Sequence, residues 1–375
     1  MTAETVLITA FSGRALAQSA RRAGYVPLVV DAFGDLDMRD AAHAFEIFPG
    51  AMRTGFRAKP LLAALDALVA NAPSKPIGLV LGSGFEDKPR LWELLDNRYG
   101  ILGCNAETVR RCKDPRVFFP LLDELGIAHP ETQMQPPENP EGWISKRIGG
   151  SGGRHIRMCG PIARATPRRY FQKLIEGERI SVSAVSAEGM ASDFTKQWCA
   201  PTARQPFRYG GCVSLPYRKS NAGDMMLGAA SELTRRLRLK GLISFDFIMR
   251  DDTPHLLEIN PRAGGSLDSV DTFDGARFEA HLVACRENVL HFPAAVLNSC
   301  QRAAAILHAD RGPLTLSQFD WPEWAADRGA PGTLIPEGAP LATVLAEAPT
   351  SDAAEALARS RLAELESLIY GTSKS

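Results

Sequence analysis

LLEINPRAGGSLD, residues 256–268, decides how the rest of the chain is read. A run of leucine and isoleucine ends by placing Glu258 and Asn260 two residues apart, followed by Pro261, Arg262 and a pair of glycines. Side chains alternate along a strand, so Glu258 and Asn260 share one face and Leu257 and Ile259 the other. Two oxygen donors side by side on a rigid element suit a hard divalent cation. The preceding apolar run, LISFDFIM (242–249), is joined to HLLEIN (255–260) by the turn-rich segment RDDTP (250–254), which predicts a hairpin. With Met249 facing His255, Asp246 falls opposite Glu258. Asp246, Glu258 and Asn260 then gather on one face, about 5 Å apart across the strands. Such a cluster of oxygens repels itself unless a cation joins it. Taken alone, the hairpin also admits a structural reading, with Asp246 capping a turn and Glu258 paired with Arg262.

Upstream, WISKRIGGSGGRHIRMC (143–159) reads as a short strand, a glycine loop and a second short strand. Gly149, Gly150, Ser151, Gly152 and Gly153 offer backbone N–H groups with little side-chain obstruction, a geometry that cradles phosphate. Lys146, on the strand before the loop, supplies a point charge for the same anion. The lysine precedes the glycines and no GK[ST] occurs, so this is not the GxxxxGK[ST] loop. A flexible surface hairpin is the competing reading.

Gross composition narrows the classes. The 375 residues are enough for two or three domains, and 45% hydrophobic with 23% charged residues is ordinary for a globular protein. Lysine plus arginine and aspartate plus glutamate each total 43, which gives no global pull toward nucleic acid or an anionic membrane. No apolar run approaches the ~18 residues of a membrane span. The start, MTAETVLITA, lacks a basic region and runs directly into a strand pattern, so a signal peptide is not expected. The seven cysteines are scattered and without CxxC spacing, which points to a reduced, cytoplasmic chain with neither disulfides nor a zinc site.

VLITAF, the helix pattern ending at Gly24, YVPLVVDAFG and GLVLGSGFED (78–87) alternate strand and helix, the mark of an α/β domain with a parallel sheet. Asp31 ends the second strand where a dinucleotide fold places its ribose acid. Only Gly13 stands in the preceding turn, however, so that site is not expected. AETVRRCKDPRVFFPLLDELG carries Lys113 into the next region, with a break at Pro115. Residues 199–222 read as a long irregular segment of functional character. Its Lys196-to-Lys219 neighbourhood holds Lys196, Arg204, Arg208 and Arg218, candidates to grip an anionic substrate. Near the end, GTLIPEGAPLATVLAE reads as strand and turn, followed by a terminal helix.

In chain order, Lys113, Lys146 with its glycine loop, QKLIEGE (172–178), and then Asp246, Glu258 and Asn260 resemble the ATP-grasp superfamily over nearly the whole chain. The resemblance implies an ATP-grasp fold of α/β class, with ATP held between two antiparallel sheets. It implies that Lys113 and Lys146 contact the phosphates and that Gly149 to Gly153 close over them. Gln172, Lys173, Leu174 and Ile175 would form the hinge that reads adenine, and Glu178 would bind ribose. Gln172 stands where many members have an acid. Asp246, Glu258 and Asn260 match the family's Mg2+ ligands, with Mn2+ as a substitute, and Arg262 matches its arginine beside the transferred phosphoryl group. The implied domains are a Rossmann-like unit (1–103), a lid subdomain (104–175), a metal-bearing subdomain (176–290) and an extension similar to that of biotin carboxylases (291–375).

The activity implied is ligation: a carboxylate is activated by ATP as an acyl phosphate and attacked by an amine. Both substrates are expected to be small molecules, with a homodimer as one admissible assembly. GLVLGSGFEDKP further resembles ligases of one-carbon cofactor synthesis, of the tetrahydromethanopterin or methanofuran type. Two rival readings are a biotin-type carboxylase and a non-catalytic ATP-binding regulator. INPRAGGSLDSVD lacks the glutamate and histidine that follow the asparagine in the carboxylases, and neither a metal ligand nor a phosphate lysine is lost, as a regulator would be expected to show.

Overall fold

Four apolar runs in the first hundred residues become a parallel sheet: β1 (Thr5–Thr9), β2 (Val26–Asp31), β3 (Ala44–Ile47) and β4 (Leu79–Leu81), in the order β3-β2-β1-β4. The computed structural model describes residues 3–161, 163–217, 219–271, 274–290 and 300–371. β1 is buried throughout, with Leu7 in one core and Val6 and Ile8 in another, which is why its sequence is continuously apolar rather than alternating. Asp31 accepts the N–H groups of Gly13, Phe33 and Gly34 at 2.5–2.6 Å, so it organises its own turn.

The helix expected across Pro115 is two helices, Ala106–Lys113 and Pro115–Glu124. Asp114 separates them and caps the second through the N–H of Arg116 (3.0 Å), with proline in the first helical turn, where its missing N–H does no harm. Lys113 is thereby placed at the last position of its helix.

A small antiparallel sheet follows, of β5 (Thr132–Gln133), β6 (Trp143–Arg147), β7 (Arg157–Met158) and β8 (Arg169–Lys173), ordered β5-β8-β6-β7. The glycine loop joins β6 to β7. The remaining strands are β9 (Glu178–Ser186), β10 (Met190–Cys199), β11 (Tyr209–Leu215), β12 (Gly241–Arg250), β13 (Thr253–Asn260), β14 (Gln301–His308), β15 (Leu314–Thr315), β16 (Ala325–Ala326), β17 (Leu334–Ile335) and β18 (Pro340–Ala348). Eight of them form one sheet, ordered β13-β12-β9-β10-β11-β14-β18-β16, while β15 and β17 pair separately. The terminal helix, Ser351–Gly371, buries Ala354, Ala358, Leu365 and Ile369 in the core formed by β14 and β18.

Residues 199–222 are not irregular throughout, contrary to the sequence reading. β11 occupies their middle and pairs with β10 on one side and β14 on the other. Its glycines hide the strand pattern, and one of its two partners lies about ninety residues away in the chain.

Candidate active site

β12 and β13 carry the three oxygen side chains. Asp246 faces Glu258 and Ser244 faces Asn260, as the hairpin register predicts, but Met249 faces Pro254 rather than His255. The turn is the two-residue Asp251-Asp252, both at positive φ (49° and 58°), instead of the five-residue RDDTP segment. A bulge after Asp246 absorbs the one-residue difference. Leu257 is therefore not a companion of Ile259. Leu256 and Ile259 enter the core, and Leu257 turns with Glu258 toward a small cavity.

Asn260 is the hub. Its Nδ2 donates to Asp246 Oδ2 (2.8 Å), while its Oδ1 accepts from Lys113 Nζ (2.8 Å) and Arg262 Nη2 (3.4 Å). Lys113 Nζ also reaches Glu258 Oε2 at 3.3 Å. Ser181, on β9 opposite Asp246, donates to Asp246 Oδ1 at 2.6 Å, and Gln197 on β10 donates to both of them. Burial raises the Glu258 carboxyl, but Lys113, Lys146 and His155 outweigh it and bring it down to about 2. Asp246 goes the other way, pushed up by burial and by the charge of Glu258. Two acids and an amide are an all-oxygen donor set, the chemistry that Mg2+ prefers. No set of three His, Cys, Asp or Glu side chains converges as metal ligands among the described residues.

Lys146 lies on β6, buried, with Nζ 3.3 Å from Gln172 Oε1; Gln172 in turn donates to Thr132 Oγ1 (3.0 Å). Burial lowers its pKa, with Glu258 opposing. The glycine loop closes on its neighbours. A Cβ on Gly149 (φ 68°) would stand 2.6 Å from Glu86 O, and one on Gly153 (φ 72°) 1.8 Å from Phe207 O. Gly152 O accepts from Tyr209 N (3.1 Å), Gly150 lies against the His155 ring, and Ser151 is half-buried. The cavity between Lys113, Gly149, Gly150, His155, Leu257 and Glu258 measures about 20 Å³. Burial pushes His155 down to about 4, despite Glu258 nearby.

At the hinge, Lys173 N donates to Glu131 O (2.8 Å) and Leu174 N to Gly142 O (2.7 Å). Ile175 is half-buried, and Glu178 is exposed at the start of β9 with Lys196 Nζ 3.8 Å away. The candidate anion-gripping side chains do not converge. Lys196 pairs with Glu355 (3.0 Å), Arg208 is buried in a two-pronged pair with Asp310 (2.7 Å), and Arg204 is exposed. Arg218 lies outside the described residues.

Glu86 is the residue the sequence reading missed. It follows β4, is 1% exposed at its side chain, and accepts from Arg262 Nε at 2.7 Å, across 176 residues. The backbone N–H groups of Gly84 and Phe85 hold its other oxygen (2.9 and 3.0 Å). Burial raises this carboxyl, but Arg262 and Lys113 outweigh it and keep it below its ordinary value. An acid two residues beyond a strand-and-GSG turn was the available signal.

Residues 112–266, which run from just before Lys113 to just beyond Arg262, match the family described as the ATP-grasp domain. Over that stretch, less than half of its length, the chain is similar to an ATP-grasp domain. Its relatives include the carbamoyl phosphate synthase large chains of Saccharolobus islandicus (25% identical over 202 residues, 47% of this chain and 19% of the relative) and Thermoanaerobacter pseudethanolicus (26% over 224 residues, 53% and 21%). The match thus spans about a fifth of those relatives' length. The ATP-grasp fold is shared over nearly the whole chain with N5-carboxyaminoimidazole synthetase from Staphylococcus aureus, solved with ADP (TM-score 0.67, 14% identical, covering 96% of this chain and 97% of that one). It is shared likewise with an L-amino acid ligase from Bacillus licheniformis (TM-score 0.65, 13%, 97% and 98%) and a biotin carboxylase from Campylobacter jejuni (TM-score 0.70, 13%, 94% and 89%). Among the described residues no helix is long and apolar enough to cross a membrane.

Proposed function

We propose that this chain is an ADP-forming ligase that activates a carboxylate as an acyl phosphate and joins it to an amine. The observation that carries the reading is the convergence of Asp246, Glu258 and Asn260 with Lys113 and Arg262 through Asn260. Similarity to the carbamoyl phosphate synthases and to the solved ligase supports it. Asp246, Glu258 and Asn260 would hold Mg2+, which neutralises charge between phosphate oxygens when bound. Lys113 and Lys146 bind the phosphates, the loop from Gly149 to Gly153 covers them and excludes water, and Ile175 supplies the hinge N–H toward adenine, with Glu178 at the ribose. Arg262, aimed by Glu86, donates to the oxygens of the transferred phosphoryl group and then to the oxyanion formed when the amine attacks. A narrower assignment, to ligases of tetrahydromethanopterin or methanofuran synthesis, rests on the likeness of GLVLGSGFEDKP.

The test is ADP release from Mg-ATP against a panel of carboxylates and amines with hydroxylamine as a trap. Hydroxamate formed with one carboxylate establishes the acyl phosphate. ADP release that requires bicarbonate alone would replace ligation by carboxylation, and tight ATP binding without turnover across the panel would count toward a regulator.

A further inference from the structure

An open groove of about 680 Å³ lies outside the residues described above, on the first domain between the starts of the helices Ala58–Ala70 and Pro89–Tyr99. Its floor is apolar: Phe56, Leu91 and Leu94. Its rim is basic: Arg57, Lys88 and Arg90. Among the described residues none of these three cations has a carboxylate within ion-pair distance, although most buried and many exposed arginines of this chain do. Asp87, the acid at the groove, is already paired with Arg147 at 2.9 Å. Lys88 folds over Gly55, whose positive φ of 71° and missing Cβ leave room for it: a Cβ there would stand 2.6 and 2.7 Å from Cε and Nζ.

The backbone adds to the same field. Arg57 and Lys88 occupy the N-cap positions of the two helices, neither caps with its side chain, and neither helix has an acid in its first turn. Both helix ends therefore present uncompensated N–H groups and positive dipole ends where two cations already stand. Three cations without carboxylate partners on one rim make a field that favours an anion, and a groove of this size accommodates a small organic molecule.

We propose that this groove binds a phosphate monoester with an apolar body, the phosphate taken by Arg57, Lys88 and Arg90 and the body laid on the exposed side chain of Leu94 beside Leu91. A dianion answers three cations better than a carboxylate does, and arginine forks match phosphate oxygens. The binding stands apart from the ligation proposed above.

The experiment is calorimetric titration of the full chain with phenyl phosphate, benzoate and inorganic phosphate, in the presence of saturating Mg-ADP so that the ATP-grasp site is not the reporter. Phenyl phosphate is expected to bind saturably, about tenfold more tightly than either benzoate or inorganic phosphate. The double variant K88Q/R90Q should weaken it by a further factor of about ten while leaving the thermal midpoint unchanged. Unchanged affinity in K88Q/R90Q overturns the site. Equal binding of benzoate overturns the phosphate assignment, and equal binding of inorganic phosphate overturns the role of the apolar floor. Failure of the hydroxamate assay bears on ligation and leaves these titrations as they are.

Discussion

Glu86 and Arg262 are buried together, and each is costly to leave alone in that environment. The Glu86 carboxyl lies below its ordinary value in the folded chain, so its ion pair contributes stability that is fully present above about pH 4.3 and is lost as the pH falls through the depressed value. Glu86→Gln lacks that contribution. The stability gap between wild type and Glu86→Gln, measured by thermal unfolding across a pH series, is expected to close as the pH is lowered below about 4. A gap that widens on acidification refutes the charge-pair account. Glu258→Gln should fold, with a thermal midpoint lowered by loss of its charge beside Lys113 and Lys146, and lose ATP-dependent turnover; a fully active variant removes Glu258 from the proposed metal set. The positions of Asp246, Glu258 and Asn260 were legible because strand alternation and hairpin register are local. Glu86 was not, because the acid and its arginine are separated by 176 residues and meet only when the first sheet docks on the third.

The hairpin shows how a turn can be misread and the pairing of its side chains still be right. RDDTP looks like a five-residue loop, yet Asp251 and Asp252 both take the left-handed conformation and close a two-residue turn. The bulge at Leu257 restores the pairing of Asp246 with Glu258, and it is invisible in the sequence because Leu256 and Leu257 are the same residue type. The glycine loop, by contrast, declares its backbone needs openly. Gly153 has φ 72° and no room for a Cβ beside Phe207 O. Gly153→Ala is therefore expected to weaken Mg-ATP binding about tenfold by preventing closure, at a backbone strain of about 1–3 kcal/mol, with the circular dichroism of the rest unchanged. Calorimetry checks it, and unaltered affinity would detach loop closure from nucleotide binding.

Across the whole molecule, Arg14 ties together parts that the sequence presents as separate. From the first helix it donates to both oxygens of Asp268 at 2.6 Å and to Asp327, which also accepts from Ser12. Arg14→Ala leaves those acids without their cation and is expected to cost about 3–5 kcal/mol in urea unfolding. A loss below about 1 kcal/mol, the scale of an exposed pair, would show that the parts hold without it. The first sheet's strand-helix alternation was readable from the order of its apolar runs. The union of the tail with the site-bearing sheet was not, since the pairing of β11 with β14 depends on contacts about ninety residues apart. That union has a bearing on how the chain avoids sticking to itself. β14, β18 and β16 cover the flank of β11 that would otherwise expose a row of free N–H and C=O groups around Cys212 and Val213. The C-terminal segment is thus an edge guard, and a version of this chain trimmed before β14 would present a ready template for aggregation beside an intact set of site residues.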